Sequence, residues 1–144
     1  MSPTTFLLLM VAITVGAATL AIVADRARRA ALRRLASSWH MHYTPSDRFR
    51  LAPRVASRLP VPGAAAVRVR DLIYGLEGDQ LRYIFIVEYT AHTVSAQPRR
   101  QSVVTFVEAR ERREETPVQL WLAPEGMSVI EQYEHLRGRV HPAP

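Results

Sequence analysis

Leu81-Arg-Tyr-Ile-Phe-Ile-Val-Glu-Tyr89 is the stretch that decides the soluble fold. It concentrates β-branched and aromatic side chains, which suit a pleated surface, and reads as a central strand. Upstream, Val67, Val69, Leu72, Tyr74 and Leu76 recur with a period near two. The segment from Gly75 through Gly78-Asp-Gln80 supplies the turn between them. Downstream, residues 91–100 read as a polar loop, Gln101–Ala109 as the next strand, and Val118–Leu122 as a fourth. Pro124-Glu-Gly126 opens a final helix carrying Met127, Ile130, Tyr133 and Leu136 at helical spacing, with Gly138 as its stop. The expected fold class is α+β: an antiparallel sheet of four or five strands with one or two short helices.

Pro60-Val-Pro-Gly63 separates this meander from what precedes it. Ser46-Asp47 can cap a helix running to about Arg58, with Phe49, Ala52, Val55 and Leu59 on one face. Pro53 fits that helix only in its first turn. Trp39-His-Met-His-Tyr43 reads as interfacial anchors or as the start of the domain core, and its alternation favours a short core strand.

At the N-terminus, Phe6 to Ala24 contains no ionisable side chain. These nineteen residues span about 28 Å as a helix, close to the ~30 Å hydrocarbon core of a bilayer. A signal peptide would place a basic residue before the run, and only the terminal amine is there. Arg26, Arg28, Arg29, Arg33 and Arg34 follow at once. Arginine-rich short flanks stay cytoplasmic. The expected plan is an external N-terminus over residues 1–5, a single-pass helix over 6–24 in the bacterial inner membrane, and a basic juxtamembrane extension over 25–38. A cytoplasmic α+β domain over 39–138 and a flexible C-terminus over 139–144 complete it.

All nineteen basic residues are Arg, with no Lys, Asn or Cys, a composition expected of a high-GC bacterial genome. Residues 26–66 hold nine Arg against one acid, whereas residues 67–144 hold ten against eleven. An anionic leaflet attracts such a proximal cluster by about 1 kcal/mol per nearby Arg, so anionic lipids are expected partners. Nucleic acid is not, because the arginines lack interleaved stacking aromatics. Within the apolar run, Ala12 with Gly16 and Ala17 with Ala21 make small-xxx-small pairs that admit a second helix closely.

No sequence motif for catalysis is present: no phosphate-binding glycine loop, no nucleophile elbow, no His-Glu-x-x-His. His40 and His42 would face one way on a strand, yet lack further ligands nearby and make an incomplete metal site. With Trp39 and Tyr43 they are read as interface candidates. His92, His135 and His141 are scattered. Glu88 and Glu108, on neighbouring strands, are read as residues of an exposed sheet face rather than an acid–base pair. Arg110-Glu-Arg-Arg-Glu-Glu115 reads as a solvated turn.

Leu35 to Tyr43, Asp47-Arg-Phe-Arg-Leu51, Leu59-Pro60, Tyr74-Gly75, Tyr83–Tyr89 and Ser102–Val107, in that order, resemble small single-pass membrane-anchored domain proteins of high-GC bacteria. The resemblance implies no activity, cofactor or catalytic residue. The expected function is a non-catalytic accessory subunit that stabilises a larger membrane complex through its transmembrane and cytoplasmic subunits. It takes no cofactor, metal or small-molecule substrate. Energy-transducing hosts are the expectation, a photosynthetic reaction centre with its light-harvesting antenna or a respiratory supercomplex, although no motif selects one. The alternative is an inner-leaflet lipid- or protein-sensing adaptor, homodimeric through Ala12 and Gly16. A membrane-anchored enzyme using His40 and His42 is a third and weaker reading.

Overall fold

The computed structural model describes residues 2–61, 63–91, 99–109 and 120–138. Helix α1 (Pro3–Ser38) is followed by β1 (His42–Thr44), α2 (Leu51–Ala56), β2 (Ala64–Glu77), β3 (Gln80–Ala91), β4 (Arg100–Ala109), β5 (Trp121–Leu122) and α3 (Val129–Gly138). The five strands form one antiparallel sheet in sequence order, so the domain is α+β. Residues 1–31 and 32–144 make two separate units. The second starts at Leu32. Leu32, Leu35 and Ala36 recur at i, i+3, i+4 and pack into a core of that unit.

β3 runs down the middle of the sheet and is buried on both faces from Arg82 to Tyr89. Its alternation assigns the two cores. Tyr83, Phe85, Val87 and Tyr89 join Leu51 and Val55 of α2 on one face. Ile84 and Ile86 join Leu32, Ala36, and Tyr133 and Leu136 of α3 on the other. Each fully buried aliphatic or aromatic side chain contributes roughly 1.5–3 kcal/mol.

The hydrophobic phase of β2 slips between Val69 and Leu72, and the slip is a bulge: its register against β3 shifts between Arg70 and Ile73. Asp71 sits in that bulge at φ 51 and is buried. Its carboxylate accepts from the Tyr43 hydroxyl at 2.6 Å and its carbonyl from the Tyr133 hydroxyl at 2.5 Å. One distortion therefore ties β1, β2 and α3 together. Gly78 and Asp79 form the two-residue turn between β2 and β3, with Gly78 at φ 63, where a side chain is disfavoured.

Two helices differ from expectation. α2 is shorter than the expected 46–58 helix. Asp47 does cap it, accepting from the Leu51 and Ala52 amides at 2.7 and 2.9 Å, but from four residues upstream, around Arg50 in the left-handed region. Pro53 falls in its first turn, where its missing amide costs nothing. α3 starts at Val129 rather than at Pro124. Ser128 and Glu131 make a reciprocal capping box there, at 3.3 Å from the Glu131 amide and 2.8 Å from the Ser128 amide. The expected strand 118–122 appears as β5; residues 118 and 119 lie outside the described set. So do the 110–115 turn, His92, His141, most of the 91–100 loop and the 139–144 tail.

Candidate functional site

Among the described residues, nothing covers the apolar side chains of the helix. The large side chains from Phe6 to Val23 stand 46–72% exposed. This is one helix long and apolar enough to cross a membrane, at mean hydropathy 2.6 over its best window. Its two polar side chains are satisfied locally: the Thr14 and Thr19 hydroxyls donate to the Met10 and Val15 carbonyls at 2.8 Å each. That removes the unpaired polar groups a hydrocarbon environment penalises. Ala12, Gly16, Ala17 and Ala21 are all exposed, and a Cβ built on Gly16 meets no atom within 4 Å.

The arginine cluster is less uniform than its sequence suggests. Asp25 pairs with Arg28 at 2.7 Å and Arg29 at 3.0 Å, one helical turn away. Arg26 is exposed. Arg33 and Arg34 are exposed within the second unit, and Arg33 lies over the Tyr43 ring at 5.5 Å. The i, i+3 and i, i+4 spacing from Asp25 is the signal that marks this pairing in the sequence.

The Trp39–Tyr43 segment divides. Trp39 and Tyr43 are half-buried against the second core, with the Arg137 guanidinium 4.6 Å from the Trp39 ring centre. His40 lies in a turn at φ 56 rather than in a strand, and is exposed. His42, in β1, is exposed and stacks against Tyr74 at 5.4 Å. The two histidines therefore do not share a strand face. Among the described residues no group of three His, Asp or Glu comes together.

Glu88 and Glu108 are buried, not on an exposed sheet face as expected. The reason is arginine. Glu88 accepts from Arg70 at 2.5 Å and Gln101 at 3.0 Å, with Arg99 at 3.6 Å. Glu108 accepts from both terminal nitrogens of Arg54, at 3.0 and 3.3 Å. Their registers place Glu88 opposite Gln101 and Glu108 opposite Leu81, so the carboxylates do not face each other. Each carboxylate is held in an ion pair.

Arg82, buried like Asp71, Glu88 and Glu108, was not read from the sequence. It lies 3.1 Å from Glu77 and donates to the Arg137 carbonyl at 3.0 Å, at the end of α3. Burial pulls its guanidinium below the ordinary arginine range; Glu77 opposes that shift and Arg137 adds to it. Nothing in the pattern of β3 distinguishes this arginine from an exposed one.

No protein family, no curated protein and no solved structure matches the chain.

Proposed function

We propose that this chain is a non-catalytic, single-pass accessory subunit of a bacterial membrane complex. The exposed apolar helix carries the reading. A surface of that size and hydrophobicity is stable only when lipid or other helices cover it. The small-residue face at Ala12, Gly16, Ala17 and Ala21 supports a helix partner. Arg26, Arg33 and Arg34 are exposed, as contacts to anionic headgroups require, and the positive-inside rule favours a cytoplasmic domain. The ion-paired carboxylates favour a structural role over chemistry. His40 and His42 offer polar groups to cytoplasmic subunits, while Trp39 and Tyr43 serve the domain's own core. An energy-transducing complex, photosynthetic or respiratory, remains our proposed host.

The test is isolation of the tagged chain from its native membranes in mild detergent, with co-purifying proteins identified by mass and pigments by absorption. Stoichiometric partners with pigment or haem bands support the proposal and name the host. A lone chain or a homodimer points to the lipid-sensing adaptor, for which salt-sensitive vesicle binding is the signature.

A further inference from the structure

We infer that Val67–Arg70 of β2 form an open sheet edge that accepts an extended, acidic segment of a partner protein as an added strand. The inference rests on the accessory-subunit reading for the existence of that partner.

β2 is fourteen residues long, and β1 only three. β1 covers β2 at Leu72–Tyr74 alone, and among the described residues nothing pairs with that side of β2 further upstream. The chain leaves the sheet after Pro45, whose carbonyl accepts from the Asp71 amide at 3.3 Å. Proline has no amide to continue the ladder. The next residues turn away, the Arg48 amide donating to the Ser46 carbonyl at 3.0 Å. Between this turn and β2 lies an open cleft of about 520 Å³, lined by Pro45, Ser46, Asp47, Val67, Arg68 and Val69 among others.

In an antiparallel pair, alternate residues turn their N–H and C=O groups away from the partner strand. Residues 67–70 therefore offer backbone donors and acceptors to the cleft. Strand addition uses such groups for affinity and side chains for selection. Register shifts at Ala65/Arg68 and at Arg70/Ile73 bracket the edge, limiting how a strand can align.

The charge selects the occupant. Arg70 is held by Glu88, but Arg68 is exposed and, among the described residues, has no ion pair. Arg48 and Arg50, which follow Asp47 of the cleft's lining in the chain, are exposed too. Of the two acids lining the cleft, Glu88 is met by Arg70 and Asp47 is engaged by the Leu51 and Ala52 amides, so an acidic strand complements the remaining arginines. A second copy of the chain would bring like charges together, which costs energy.

The test uses the full chain in non-ionic detergent micelles and two labelled ten-residue peptides, alternating valine–glutamate and alternating valine–lysine. The acidic peptide binds and the basic one does not. Arg68→Glu weakens binding about tenfold or more, and Arg68→Gln less; Arg58→Glu, an exposed site elsewhere, leaves it unchanged. The chain has no cysteine, so Arg68→Cys gives a unique disulfide to a cysteine-bearing acidic peptide. Equal binding of the two peptides, no binding of either, equal losses from Arg68→Glu and Arg58→Glu, or disulfides only between two Arg68→Cys chains each overturn the inference. Co-purification tests the accessory-subunit reading separately, so either can fail alone.

Discussion

Arg54 on α2 grips Glu108 on β4 through both terminal nitrogens, at 3.0 and 3.3 Å, while its guanidinium lies 5.7 Å from the Phe106 ring centre. The carboxylate is 3% exposed and the arginine 31%. This pair clips the short α2 onto the sheet at a point where six helical residues could not hold themselves. Arg54→Ala strands a buried carboxylate and costs about 2–3 kcal/mol, the partial exposure of Arg54 keeping it at the low end. Arg54→Met with Glu108→Leu removes both charges and recovers most of that loss. Denaturant midpoints of the three variants check this; a double variant no better than the single contradicts it.

Gly75 is a position of close approach. A Cβ there would lie 2.8 Å from Met41 Cγ and 3.2 Å from Met41 Cβ. Gly75→Val overpacks the contact between β2 and Met41, just before β1, and destabilises by roughly 1–3 kcal/mol. Met41→Ala in the same chain relieves part of the clash. Thermal melts of Gly75→Val with and without Met41→Ala report the coupling; independent, additive effects would disprove it.

Glu131 is held below the ordinary glutamate value of about 4.3 by the Ser128 amide first and the Ser128 hydroxyl second. Its folded value lies below its unfolded one. Its support for the start of α3 is therefore full above the ordinary carboxylate range and is lost as pH falls through the lowered value. A carboxyl-carbon NMR titration should show Glu131 titrating low, and Ser128→Ala should move it up towards the ordinary value. Titration at the ordinary value in the unaltered chain would refute the capping box.

Gly16 has open space around it, so Gly16→Leu meets nothing within its own chain and improves helix propensity by nearly 1 kcal/mol. Any loss must come from a partner helix. The expected result is reduced co-purification with an unchanged melt of the soluble domain. Full co-purification would end the case for packing through the Ala12–Gly16 face.

Local signals carried much of the fold. The strand at Leu81–Tyr89 and the turn at Gly78 were legible because period and turn chemistry act over a few residues. The bulge at Asp71 was not read: Val67 to Leu76 was taken as one uninterrupted strand, although the phase slips between Val69 and Leu72. The ion pairs were not. Arg54 and Glu108 are 54 positions apart, and Arg70 and Glu88 are 18. Such partners meet only through tertiary packing, so Glu88 and Glu108 looked like surface residues. Charge cost forces burial and pairing to come together, but a single sequence shows neither. The apolar character of α1 was legible as composition.

The most direct measurement is the native mass of the tagged chain extracted from its own membranes in mild detergent, corrected for bound detergent. An accessory subunit gives a mass far above one 16.3 kDa chain, with partner proteins in fixed ratio. A mass of one or two chains, with no partner in fixed ratio, would contradict it.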